Sequence, residues 1–325
     1  MVMKRLLPMI CAAALARMVC ATLQNPQTYW QMCDASAAVA LDDTHFAVSD
    51  DEGNTLRVFK RGEPEPIHEF EVARFLGVRK KGESDVEGAA RVGNRVYWIG
   101  SHGRNREGNT APDRAKFFAT EIHGKNGRKL EPVGAPYSRL LDDLIADPRF
   151  ARFGFAEASR LSPKKQGGLN IEGMCARADG SLLIAFRTPV PGGKALLLPL
   201  LNPDKVIENE SAKFGEIIPL DLAGSGIRDI CAVGGKFLII AGASDGSKDF
   251  HLYVWDGKSE KPRLINGNFF NKLNPEAIFR FESDPTDVFQ ILSDDGGRKT
   301  GGKECKDLPK SQRHFRAGEL RLNLD

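Results

Sequence analysis

One motif written several times over constrains this chain more than any other feature. It reads as an acidic or polar start, a short apolar strand, a tight turn, a second apolar strand and a polar end. The clearest copy is Ser84 to Arg104, SDVEGAARVGNRVYWIGSHGR, with Gly93-Asn94 at its turn. Further copies run from Leu169 to Arg187, Gly226 to Ser244 and Leu273 to Gly297, and a weaker one spans Asp34 to Gly53. Repetition at a spacing of about 50 residues means an array in which each unit buries its apolar face against the next.

Strand-like runs fill the space between copies. Residues 55–59 and 67–70 follow the first copy, and 117–122 and a run near Leu130 follow the second. Residues 195–201 and 217–220 follow the third, and 251–255 and 263–265 the fourth. Four strands per unit is the content of one propeller blade. The expected fold is therefore an all-β, five-bladed β-propeller. Residues 318–322 form a last strand, and Tyr29 and Trp30 suit an outer strand that pairs with the chain's other end. Such pairing closes a ring and removes exposed sheet edges.

The pattern breaks once, over 137–161. Leu140, Leu141, Leu144, Ile145 and Phe150 recur there at helical spacing, with Asp142 and Asp143 early in the run. This predicts a short helical insertion, either a cover packed on the propeller or a lid over its channel mouth. A sixth, degenerate blade in the same stretch is the alternative, and the helical spacing argues against it.

Composition excludes several classes. The 41% hydrophobic and 27% charged content is that of a globular protein, and the formal net charge is only +3. Basic and acidic residues are interspersed, so no basic face points to nucleic acid. The Arg79-Lys80-Lys81 and Lys164-Lys165 clusters read as solvated loop charges. Met1 to Arg5 is basic and Leu6 to Ala16 apolar, and Val19-Cys20-Ala21 follows. This is the pattern of an export signal over 1–21, with 22–325 as one propeller domain in the periplasm or beyond. The apolar run is too short to span a bilayer and no other stretch is apolar enough. A monomer is expected.

Beyond that segment lie Cys33, Cys175, Cys231 and Cys305. An exported chain can form disulfides. If the repeats close into a ring, Cys33 and Cys305 become neighbours and a closing bridge between them is open. Cys175 and Cys231 fall in inner-strand patterns and read as buried thiols. No CxxC or Cys/His spacing suggests zinc.

Aligned on their first strands, the repeats place Glu87, Glu172, Asp229 and Glu276 at one position, with Ser36 in the weak copy. Second strands return antiparallel to the same face. They end at Asp50-Asp51, Ser101-His102-Gly103-Arg104, Arg187, 242–244 and Ser293-Asp294-Asp295. In a propeller all of these gather round one channel mouth. Several carboxylates there suit a hard cation such as calcium, with Glu87, Glu172, Asp229, Glu276 and Asp294 as ligands and Asn170 and Asn274 nearby. Arg104, Arg187, Arg228 and Arg298 fall close by, so a ring of Glu–Arg pairs tying blades together is the competing reading. Carboxylates accepting backbone N–H groups of the next blade, and direct acid–base work, are two more. Metal and arginines together would cradle a phosphate or carboxylate ester. His102, Arg104 and Arg187 are then the catalytic candidates: His102 as general acid or base or a loop histidine, the arginines as anion holders. The long polar loop 101–114 is a further binding candidate. No nucleophile elbow, HExxH or Gly-rich phosphate loop is present.

The segments SDVEGAARVGNRVYWIGSHGR, LNIEGMCARADGSLLIAFR, LNPEAIF and LSDDGG resemble a family of exported bacterial proteins of unknown function, across about residues 34–320. The repeated Glu-Gly before a hairpin is also similar to the esterase-like phytase propellers. More distantly it resembles the gluconolactonase and regucalcin propellers. In that last group the glutamate of Glu-Gly-Pro binds metal, which implies the role for Glu87 or Glu172, although alanine and methionine replace the proline here. The expectation is a calcium-assisted hydrolase of small anionic esters. The alternatives are a non-catalytic propeller that binds a ligand or protein, and a scaffold with an internal salt-bridge network and no site.

Overall fold

The computed structural model describes residues 23–50, 53–124, 129–163, 167–244, 247–267, 269–270 and 272–324. The export signal expected over 1–21 and the Lys164-Lys165 cluster lie outside these residues.

Among the described residues, five four-stranded antiparallel sheets are arranged as blades, each running outward from an innermost strand. The inner strands are Ala35–Ala40, Val86–Val92, Asn170–Ala176, Gly226–Val233 and Pro275–Phe279, which define blades 1 to 5. Each pairs with the next strand, through a short connection in blades 1 to 4 and a longer one over 280–287 in blade 5. In blade 4 that connection is Gly234-Gly235, both at positive φ (54° and 79°), which is the conformation a two-residue hairpin with the native strand twist requires.

Blades 1 to 4 take their strands in chain order. Blade 5 is composite. Outward from Pro275–Phe279 it uses Val288–Ser293, then His314–Arg321, then the N-terminal strand Gln24–Trp30. Tyr29 and Trp30 thus lie in the outer strand expected for them, paired with Phe315 and His314. A disulfide joins Cys33, just after that strand, to Cys305, before the strand it pairs with, across 272 residues of sequence.

The core is divided among the joints between blades. One buried cluster lies at each: between blades 1 and 2, 2 and 3, 3 and 4, 4 and 5, and 5 and 1. Alternate residues of each strand face the two neighbouring blades, so the strands read as nearly continuous apolar runs. The closing joint is rich in aromatics. Tyr29 stacks on Phe315 with ring centroids 5.3 Å apart, and Phe46 stacks on Phe279 at 5.3 Å. Each such pair contributes about 0.5–1.5 kcal/mol beyond its buried area.

The insertion expected over 137–161 is helical, with helices at Leu140–Ala146, Pro148–Phe153 and Phe155–Ala158. Leu140, Leu144, Phe150 and Phe155 turn inward onto the joint between blades 2 and 3. The insert is a cover over that joint. Two short helices not anticipated from the sequence, Ala73–Leu76 and Pro203–Val206, connect strands at the periphery.

Candidate functional site

The inner strands share a defect at the end where the chain enters each blade. The pairing skips one residue of the inner strand in every blade: Ser36, Glu87, Glu172, Arg228 and Glu276. A bulge of this kind bends the strand and re-aims the extra side chain. Here it turns Glu87, Glu172 and Glu276 into an open cavity of about 830 Å³ at one end of the channel. Asn170 and Arg187 share that floor, and residues 105–114 of the long polar loop form a wall.

The residue after each bulge is small in four of the five blades, and packing explains why. A Cβ on Gly173 would lie 2.9 Å from the Cα of Asp229 in blade 4, and one on Gly88 would lie 3.1 Å from the carbonyl carbon of Gly173. The Glu-Gly repeat therefore joins a bulged acid to a site of close strand approach. Gly173→Ala should destabilise the protein by roughly 1–3 kcal/mol through overpacking, read as a lower midpoint in urea. An unchanged midpoint would show that blades 3 and 4 are not in such close contact.

The bulge register corrects one assignment. Blade 4 presents Arg228 where the others present glutamate or serine, and Asp229 falls at the position of the small residue. Asp229 is buried between blades. Its carboxylate accepts the backbone N–H of Ile278 in blade 5 at 2.7 Å and of Ile230 at 2.8 Å. Burial pushes its pKa well up, against the pull of these donors and of the Met174 N–H in blade 3. Asp229 is an inter-blade stitch and not a member of the mouth.

Arg228 is the hub of an ion-pair chain. Its guanidinium lies 3.1 Å from Glu172 Oε2 and is also paired with Glu276 Oε1. Arg187 donates to Glu172 Oε1 at 2.7 Å and to the carbonyl of Ala243, and Asn170 donates to the same glutamate oxygen at 2.7 Å. Burial opposes the Arg228 charge, but Glu172, Glu276, Glu87 and Asp294 together hold the proton more firmly than usual. Burial pushes the Glu276 carboxyl up, to about 8; Asp294 and Glu172 add to the rise, and Arg228 and Arg187 oppose it. Asp294 accepts from the Asn274 side chain at 3.0 Å and the Gly296 N–H at 2.8 Å, set back from the cavity. Beside Glu87, Asp85 is held by Arg114 at 2.8 Å and by the Ser101 hydroxyl. Asp85 lies two residues before its bulge, as Asn170 and Asn274 do, and spacing to Glu87 is the signal that finds it.

Two catalytic candidates are not at the mouth. His102 has a left-handed backbone (φ 55°) that turns its ring away from the channel. It faces Leu140, Leu141 and Leu144 of the insert and Ile171 and Phe186 of blade 3. Arg104 donates to the carbonyls of Ser159 and Gly108, both at 2.9 Å, and so ties the loop to the insert. Neither is placed to hold an anion in the cavity. Of the five proposed calcium ligands, Glu87, Glu172 and Glu276 line the cavity, and Asp294 lies near enough to act on the charges of Glu276 and Arg228. Among the described residues, no group of three His, Cys, Asp or Glu side chains is disposed to hold a metal ion. Nor is any helix there long and apolar enough to cross a membrane.

The family described as "Protein of unknown function (DUF3616)" matches residues 34–121 and 119–273. No curated protein matches the chain. Among solved structures, hydrazine synthase of Kuenenia stuttgartiensis is similar at 10% identity and a TM-score of 0.38, over 82% of this chain; the chain spans 57% of that one. A putative oxidoreductase (glucose dehydrogenase) of Thermus thermophilus is similar at 13% identity and a TM-score of 0.43, over 91% of this chain and 100% of that one. The β-propeller domain of Cps50 (Swd1) from Myceliophthora thermophila is similar at 8% identity and a TM-score of 0.43, over 93% and 100%.

Proposed function

The chain belongs to the DUF3616 family, and from the geometry of its own channel mouth we propose that it is a ligand-binding propeller whose pocket takes a small polar molecule carrying a positive charge. The observation that carries this reading is the charge of the floor. Glu87, Glu172 and Glu276 are presented there by bulges, with Asp294 behind, against the shared charges of Arg187 and Arg228, while the walls carry both signs, with Arg79, Lys81, Arg106, Arg114 and Lys306 beside Glu83, Asp85, Glu107 and Asp113. Burial is the main cause of the raised Glu276 pKa, with Asp294 and Glu172 adding to it, and a positive charge bound beside this carboxyl would favour its ionised form. The Glu172 and Glu276 oxygens are engaged by arginines, and the cavity is wide. This favours an extended organic cation over a compact metal shell, which needs convergent oxygens.

Calorimetry with ethanolamine, choline and spermidine, beside inorganic phosphate and a neutral hexose, tests the reading. An amine is expected to bind, and Glu276→Gln to weaken it at least about tenfold, equivalent to about 1.4 kcal/mol. Binding of phosphate in preference to every amine would overturn it.

A calcium-assisted hydrolase of small anionic esters is the second reading. Two observations favour it: a carboxyl that keeps its proton near neutrality is a general acid in waiting, and Arg187 is placed to hold an anion. A calcium-specific rise in melting midpoint, abolished by EDTA, would move the first reading aside in its favour. The Cys33–Cys305 bridge supports placement in an oxidising compartment, the periplasm or the exterior.

A further inference from the structure

His102 is buried, 6% exposed, and its surroundings are almost wholly apolar. Its Nδ1 lies 2.9 Å from the carbonyl of Gly100, so the neutral ring donates there, while Nε2 has no protein partner. The charged groups that reach it are Asp142 on the insert, which favours protonation, and Lys116 at the start of the third strand of blade 2, which opposes it. From blade 3, Ile171, Ile184, Phe186 and Leu198 line the same small cavity as the ring.

This ring sits at the root of the loop that walls the mouth. The His102 N–H donates to the carbonyl of Arg114 and closes the loop's base, and two residues on Arg104 pins the loop to Ser159 of the insert. We propose that His102 is an acid-sensitive latch: on taking up a proton it leaves its apolar seat under the insert and frees the 101–114 loop from the channel mouth. The consequence for ligand release rests on reading the mouth as a binding site; the latch itself does not.

The direction follows from linkage. Burial holds the pKa of the seated ring down, at about 4, whereas an exposed imidazole titrates near its ordinary value of 6.5. The stability of the seated state is therefore full above the exposed value and is lost as pH falls from there through the seated one. The open state gains in mild acid, well before the seated ring itself is protonated. From these values opening should be about twentyfold more frequent at pH 5 than at pH 7.

Amide hydrogen exchange of the wild-type protein without ligand, at pH 7 and pH 5 and corrected for intrinsic rates, reads this directly. Exchange should rise about twentyfold in 101–114 and 140–158 and should not rise in blades 4 and 5. An unchanged loop, or an equal rise in every blade, would overturn the proposal. His102→Asn suits the left-handed backbone and keeps an N–H for Gly100 but does not titrate. It should abolish the acid response, and a response that persists in it would also overturn the latch. If that variant does not fold, the wild-type exchange still decides. Because no ligand is used, failure of the mouth as a binding site leaves this result readable.

Discussion

Arg228→Met is expected to lower the stability of the protein by about 3–5 kcal/mol, the usual cost of leaving buried charges without their partner. Glu172 and Glu276 both pair with this guanidinium, whose side chain is 5% exposed, and without it Glu172 would keep only Arg187 and Asn170, on its other oxygen. Chemical denaturation at pH 7 reads the loss. The triple variant Arg228→Met, Glu172→Gln, Glu276→Gln should recover most of the lost stability, because it removes the charges together. A midpoint for Arg228→Met equal to that of the wild type would mean that the ring does not tie blades 3, 4 and 5.

Removing the Cys33–Cys305 bridge by a double serine substitution should cost about 2–5 kcal/mol, at the upper end because the bridge closes a very long loop. The effect should appear as an earlier melt and as faster proteolysis within Gln24–Trp30, which would then be held only by strand pairing and the Tyr29 contacts. Reductant should reproduce the shift in the wild type and leave the double variant unchanged. Equal midpoints for the two proteins would sink the idea that the bridge secures the ring.

The repeat was legible because burial on both sides of every blade imposes the same apolar run five times. Ring closure was legible too, since two aromatic residues stood alone before the first copy and a strand pattern ended the chain. The bulge was not, because an extra residue in one strand leaves no trace in composition. In blade 4 the pattern Ile-Arg-Asp-Ile aligns equally well on either polar residue, and alignment with the glutamates favours the acidic one. Only strand register shows that Arg228 holds the mouth position and that Asp229 stitches backbone. His102 misled for a related reason. Its place at the end of a strand was correct, but a single left-handed residue redirected the ring from channel to insert. Glu87, Glu172, Glu276 and Arg187 were legible as a mouth cluster, because their position follows from the fold alone.

The composite fifth blade also decides how the protein answers a pull. Leu23 and Leu322, the described residues that flank one antiparallel pair, leave it at the same end, where Gln24 faces Glu319. Tension applied through these two residues would therefore open that pair like a zip, one rung at a time, at low force. At Cys33 the load would pass into a covalent link to Cys305 and bypass everything between them. Blades 1 to 4 lie outside that path, so tethering the protein in this way would place the load on the two outer strands of blade 5 alone.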